Sequence, residues 1–130
     1  MIARSTILAI SAMAELGRLP AGTYAGARQL AQRIGAPHNY LGKLLKTLAD
    51  ANLLQSQKGK GGGFRLAREP QSISLWQVAD PIERLDRRSV CILGKPECSD
   101  RVPCPAHSRW KKARDAYFCF LEETTLADLR

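Results

Sequence analysis

Apolar residues recur at helical spacing near the start of the chain, at Ile7, Leu8, Ile10, Met13, Ala14 and Leu16. That rhythm predicts an Ala-rich, largely buried helix over 7–16, since 3.6 residues per turn bring such positions to one face. Residues 17–26 include Pro20, Gly22 and Gly26 and read as a connection. A second helix is expected over 27–34, with Leu30, Ala31 and Ile34 inward. Gly35-Ala36-Pro37 then forces a sharp turn, because glycine tolerates a left-handed backbone and proline fits the first helical position. The next helix is expected from His38 to Ala51, with Leu41, Leu44, Leu45 and Leu48 as its buried stripe.

The opposite face of that third helix carries His38, Asn39, Gly42, Lys43, Lys46, Thr47 and Asp50. Two short helices across a tight turn, the second with a basic polar face, fit a helix-turn-helix unit. An ordinary helical hairpin with a polar exterior has the same pattern, and the residues after the third helix distinguish the two. Residues 53–57 and 64–67 read as two short strands, and Lys58-Gly59-Lys60-Gly61-Gly62-Gly63 joins them. Four glycines let that loop turn and let its N–H groups approach another molecule, while Lys58, Lys60 and Arg65 add positive charge. A helix-turn-helix succeeded by a basic hairpin is a winged helix, whose recognition helix enters the major groove while the wing rests on the backbone or minor groove. The loop lacks a Gly-Lys-Ser/Thr ending and the strand–GxGxxG–helix setting, which argues against a nucleotide site.

Further along, residues 73–79 predict a short helix stopped at Pro81, with Trp76 and Val78 in the core. Residues 82–104 form a loop rich in charge, Gly and Pro. A final helix is expected from near Pro105 to Glu123, striped by Trp110, Ala113, Tyr117, Phe120 and Leu121. That stripe either folds back on its own domain or meets a second copy. Paired half-sites in dimeric DNA readers favour a homodimer. The expected architecture is mostly α with a small β-hairpin wing: a winged helix-turn-helix over 1–80, a cysteine-bearing loop over 81–104, and a dimerisation helix and tail over 105–130.

Charge sharpens this picture. The 130 residues carry 20 Lys+Arg against 12 Asp+Glu, a formal charge of +8. Residues 1–80 hold ten of the basic side chains and only four acidic ones, which points to a polyanion, double-stranded DNA, as partner. Lys43, Lys46, Lys58, Lys60 and Arg65 are the expected phosphate anchors, and His38, Asn39, Tyr40, Lys43 and Thr47 lie nearest base edges. Arg28 on the second helix, with Gly61 and Gly62 at the hairpin tip, completes the expected DNA-facing set. A hydrophobic share of 45% excludes wholesale disorder. No apolar run approaches the ~18 residues that span a bilayer, and Met1–Ser5 lacks the features of a secretory signal. The expectation is a cytoplasmic protein with no membrane partner, whose four cysteines are reduced.

Cys91, Cys98 and Cys104 fall in one loop and His107 comes shortly after it. Three thiolates and an imidazole make a four-ligand set for zinc or an iron–sulfur cluster. Intervals of six and five residues exceed the two-residue spacing of zinc ribbons and suit a longer wrap. Pro105 at the first helical position would make Cys104 the cap and put His107 in the first turn, where the helix dipole favours negative charge. Thiols without a metal, sensing oxidants directly, remain an alternative. Cys119, among Tyr117, Phe118 and Phe120, is expected to pack. With only two histidines, one of them on the DNA-facing helix, a Cys–His enzyme fits poorly.

These residues resemble the Rrf2 family of bacterial winged-helix regulators, which includes the IscR and NsrR types. The likeness covers nearly the whole chain. It rests on Leu8-Ala9-Ile10-Ser11-Ala12-Met13, Asn39-Tyr40-Leu41, Gly59-Lys60-Gly61-Gly62-Gly63-Phe64-Arg65-Leu66, the three-Cys loop and the tail Glu122–Leu129. The resemblance implies a homodimeric transcription factor governed by a [2Fe–2S] cluster or related redox signals. In the IscR type the loop cysteines and a nearby histidine after them are ligands, which correspond to Cys91, Cys98, Cys104 and His107. The NsrR type uses a carboxylate on its first helix, where this chain has Ile7-Leu8, so the match favours the histidine-bearing branch. Gly42 and Lys43 stand where IscR-type chains carry a longer acidic and amide pair, implying a different operator.

Overall fold

The computed structural model describes residues 2–85, 92–93, 100–101 and 103–130. Helix α1 (Arg4–Arg18) is the central pillar, with Thr6, Leu8, Ala9, Ala12, Met13 and Leu16 buried. Its small inward residues, Ala9 and Ala12, leave room for neighbouring backbones. Ile7, expected among the inward set, is half exposed. Helices α2 (Ala27–Ile34) and α3 (His38–Asp50) come next. Leu30 and Ala31 meet the α3 stripe of Leu41, Leu44, Leu45 and Leu48 in one continuous core.

The hairpin pairs β1 (Leu54–Gln57) antiparallel with β2 (Gly63–Leu66), so that Leu54 faces Leu66 and Gln57 faces Gly63. It is fastened to the segment before α2. Ala25 and Phe64 exchange both backbone hydrogen bonds, N–H to O at 2.9 Å and 2.8 Å. Wing and helix-turn-helix therefore share a backbone junction as well as a core.

A short 3-10 turn (Pro70–Ser72) leads into α4 (Leu75–Glu83). Ser74 and Gln77 close a capping box at its start, satisfying two otherwise unpaired backbone N–H groups. The helix does not stop at Pro81 as the sequence suggests, but continues to Glu83 and ends at Arg84 in a left-handed conformation. Proline forfeits one backbone bond near the helix end. The turn beyond it is held by Glu83, whose carboxylate accepts from buried Thr6 at 2.5 Å, and by the buried Leu85.

Helix α5 (His107–Glu123) returns the chain to this body. The Leu75 N–H bonds to the Thr124 carbonyl at 2.8 Å, and the Leu126 N–H to that of Ile73 at 3.0 Å. Leu121 and Leu126 are fully buried in the main core. Phe118 meets Trp76 edge to face, with ring centres 5.0 Å apart. The C-terminal half of α5 thus packs on its own domain, whereas Ala113 and Phe120 of the anticipated stripe stay exposed.

The molecule is mostly helical with a two-stranded antiparallel wing, as the sequence reading expects. Among the described residues, no helix is long and apolar enough to cross a membrane.

Candidate functional site

The tight turn between α2 and α3 is built as its residues require. Gly35 closes α2 in a left-handed conformation with φ of 70°, and its N–H bonds to the Ala31 carbonyl. Pro37 is the residue just ahead of α3, so the helix begins at His38, and proline serves as its cap rather than as its first residue. Helix α3 turns four leucines inward. That leaves His38, Asn39, Tyr40, Lys43 and Lys46 exposed, with Thr47 half-buried and its hydroxyl donating to the Lys43 carbonyl at 3.1 Å. Gly42 faces α2, where an added Cβ would lie 4.0 Å from that of Ala27. Arg28 is exposed on α2.

At the hairpin, Lys58, Lys60 and Gly61 are exposed at the tip. Gly59 and Gly61 have φ of +95° and +81°, which a side chain strains to adopt. Gly62 is a glycine for a different reason, and Gly63, at φ of +132°, for both. A Cβ at Gly62 would sit 2.2 Å from the Gln57 carbonyl oxygen, and one at Gly63 2.4 Å from that of Ala25. Their lack of a side chain lets the hairpin close and dock.

Arg65 is engaged within the protein. Its Nε donates to Gln55 at 2.8 Å, and its guanidinium lies 4.8 Å from the centre of the Tyr24 ring. Sequence reading misses both Tyr24 and Gln55. Gln55 is legible in principle, because it faces Arg65 across the hairpin. Nothing in the sequence pairs Tyr24 with Arg65.

Of the expected cysteine site, Cys91 and Cys98 lie outside the described residues. Cys104 and His107 are both buried, at 6% and 7% exposure. The His107 N–H bonds to the Cys104 carbonyl at 2.9 Å across Pro105 and Ala106. Cys104 is therefore not the cap of α5: Ala106 precedes the helix and His107 is its first residue. A turn replaces the proline-first start, although the two candidate ligands still share one tight bend.

His107 Nε2 lies 2.7 Å from Asp100 Oδ1, and Lys111 Nζ lies 3.1 Å from the other carboxylate oxygen. The hydrogen bond from His107, and next the hydrogen bond and charge of Lys111, hold the Asp100 carboxyl below its ordinary 3.8. Asp100 and Lys111 are further residues that sequence reading misses. Among the described residues, no group of three or more His, Cys, Asp or Glu could hold a metal ion. Cys119 is exposed rather than packed, and its thiol lies 3.1 Å from a Glu123 oxygen.

The family model "Rrf2: Iron-dependent Transcriptional regulator" matches residues 2–130. The chain belongs to the Rrf2 family. Its Rrf2 relatives include Protein rrf2 of Nitratidesulfovibrio vulgaris, 31% identical over 78% of this chain and 68% of that one. The HTH-type transcriptional regulator IscR of Vibrio campbellii is 30% identical over 77% of this chain and 59% of its own length. The chain thus aligns with roughly three-fifths to two-thirds of the curated relatives it matches. Among solved structures, the B. subtilis global cysteine regulator CymR aligns over 99% of this chain and 95% of its own, with 25% identity and a TM-score of 0.83. IscR of T. potens aligns over 99% of this chain and 85% of its own, with 25% identity and a TM-score of 0.79. Rrf2 proteins and these neighbours are transcriptional regulators rather than enzymes.

Proposed function

We propose that this Rrf2 chain is a dimeric, sequence-specific regulator that binds double-stranded DNA and reports redox or iron–sulfur status through Cys91, Cys98, Cys104 and His107. The observation that carries the DNA reading is the division of α3. Four leucines face the core, while His38, Asn39, Tyr40, Lys43 and Lys46 project outward beside a hairpin tipped with Lys58 and Lys60. A helix held rigidly from behind can present its polar face to base edges, and flanking lysines can neutralise phosphates. Arg28, Gly61 and Gly62 belong to the same proposed surface. Homodimerisation is supported by the exposed Phe120, at 50%, on the face of α5 that its own domain leaves uncovered.

The sensor reading rests on donor chemistry. The buried Cys104 and His107 share one bend, and a carboxylate holds one nitrogen of the imidazole, as ligating histidines generally require. These residues fit a thiolate-rich [2Fe–2S] cluster, with Cys91 and Cys98 supplying the other ligands. A bound cluster would supply a one-electron redox couple. This chain's own part is to bring the ligands together between the winged domain and α5, so that a change in the loop can bias how two wings are spaced.

A second reading keeps the DNA surface and replaces the cluster with thiol chemistry or zinc. The likeness to CymR, named a global cysteine regulator, favours it.

The deciding experiment is selection of duplex DNA by the wild-type protein and then mobility shift, with visible absorption of anaerobically purified protein alongside. A selected duplex bound as a dimer supports the regulator reading, and absence of any preferred duplex overturns it. Colour from stoichiometric iron and sulfide supports the cluster, whereas colourless protein with full DNA affinity supports the thiol or zinc reading. Phe120→Asp should shift the sedimenting species toward monomer.

A further inference from the structure

A cleft of about 560 Å³ lies where the end of α1, the turn after it and the root of the wing meet. Leu16, Leu19, Leu66 and Pro70 give it apolar walls. Gly17 lies against two of them, since a Cβ there would be 3.5 Å from the Pro70 ring and 3.6 Å from the Leu66 side chain. Arg65 and Arg68 make its lining basic, and the carboxylate of its acidic residue, Glu69, is engaged by the side-chain amide of Gln71. Among the described residues, neither Arg65 nor Arg68 has a carboxylate partner. Arg65 is also fixed in a way that leaves its far end available. Its guanidinium lies over the Tyr24 ring at 4.8 Å, and its Nε donates to Gln55 at 2.8 Å. The four N–H groups of the two terminal nitrogens remain. Nη1 lies beside the turn over residues 20–23, only 3.9 Å from where a Cβ on Gly22 would be, and Gly22 is part of the cleft wall.

We propose that this cleft binds a small organic anion, a carboxylate or phosphate monoester on an apolar body. The acid group meets the terminal nitrogens of Arg65 and the side chain of Arg68, and the body lies against Leu16, Leu19, Leu66 and Pro70. Clefts of this size, with apolar walls and a few placed polar groups, are the usual form of small-molecule sites. A guanidinium fork takes a carboxylate or phosphate through two parallel N–H···O bonds. One already held by a ring and an amide loses little freedom on binding. A nucleic-acid backbone has no apolar body to fill the cleft, which favours a metabolite-sized ligand over DNA here. Because Arg65 joins β2 to the segment before α2, an occupied cleft holds the root of the wing closed. On the DNA reading above, on which this consequence rests, occupancy shifts the population toward the docked wing and raises duplex affinity.

The test uses the full chain without DNA, titrated with benzoate, phenyl phosphate, benzyl alcohol and inorganic phosphate and read by 15N NMR. Benzoate or phenyl phosphate should give saturable shifts of the Gly17 and Gly22 amides and of the Arg65 Nε–H, and the tighter of the two assigns the acid group. Benzyl alcohol lacks the charge and inorganic phosphate lacks the body, so each should bind about 10-fold more weakly or worse. Arg68→Gln, at an exposed position, should weaken binding by about 2–5-fold. Arg65→Lys keeps the charge but loses the fork, and should weaken it by about 10-fold. With the probe at about ten times its dissociation constant, hydrogen exchange of the paired Ala25 and Phe64 amides should slow by about 10-fold, because the wing root opens only after the ligand leaves.

Absent or unsaturable shifts overturn the site, as do shifts of equal strength with benzyl alcohol. Wild-type affinity in both arginine variants overturns it too. Should Arg65→Lys fail to fold, Arg68→Gln decides by the same titration. Saturable binding with unchanged exchange at Ala25 and Phe64, or with no gain in affinity for a selected duplex, overturns the link to the wing. The titration contains no DNA, so loss of this site and loss of the DNA reading are separate results.

Discussion

The guanidinium of Arg65 rests on the Tyr24 ring, 4.8 Å from its centre, and so ties the wing to the segment that enters α2. With Nε committed to Gln55, Arg65 braces the hairpin across its two strands. A double-mutant cycle of Tyr24→Ala and Arg65→Ala, read by urea unfolding, should give a coupling of about 0.5–1 kcal/mol. Arg65→Ala should also weaken DNA binding while lowering the salt slope by less than one phosphate contact would.

Lys58 contrasts with Arg65, because it is exposed at the hairpin tip. Titration of binding against salt should give a steep line. Lys58→Ala should lower its slope by about one and weaken affinity alike for specific and nonspecific duplexes. Unchanged slope and affinity would remove the wing from the interface.

Gly63 stands at φ of +132°, with the Ala25 carbonyl oxygen 2.4 Å from where a Cβ would be. Gly63→Ala must break the Ala25–Phe64 junction or strain it, and should destabilise the fold by about 1–3 kcal/mol or more. Gly61 has φ of +81° but nothing within 4 Å of a Cβ, so Gly61→Ala should cost only about 1–2 kcal/mol. Equal urea midpoints for the two variants would refute this distinction.

The hydrogen bond from Cys119 to Glu123, and next the negative charge of that carboxylate, push the thiol above its ordinary 9.0. Less thiolate then exists at any given pH, so alkylation at neutral pH should be slow. Glu123→Gln should move the rate–pH curve of iodoacetamide labelling at Cys119 toward lower pH. An unmoved curve would show that the carboxylate does not govern the thiol.

Much of the helix-turn-helix is legible because its information is local. The leucine spacing of α3, the glycine that ends α2 and the glycine-rich hairpin each act over a few residues, and each has the expected form in the structure. Legibility falls where distant segments meet. Pro81 reads as a stop, yet Thr6 and Leu85, far apart in the chain, hold the last turn of α4. The stripe on α5 reads as single-purpose, yet Leu121 is buried in the domain core while Phe120 faces outward. Cys104 reads as a helix cap, because a proline at the next position suits a helix start and a turn equally well.

The sequence by itself determined the helix-turn-helix and hairpin, the leucine face that α3 buries and the basic character of the α3–hairpin region, since periodicity and backbone preference operate between near neighbours. Only the tertiary structure decided that Arg65 is braced by Tyr24, that Gly63 is required by Ala25, and that His107 and Lys111 both bind Asp100. Those pairings depend on which side chains the packed core brings within a few ångströms, and no short-range rule contains that information.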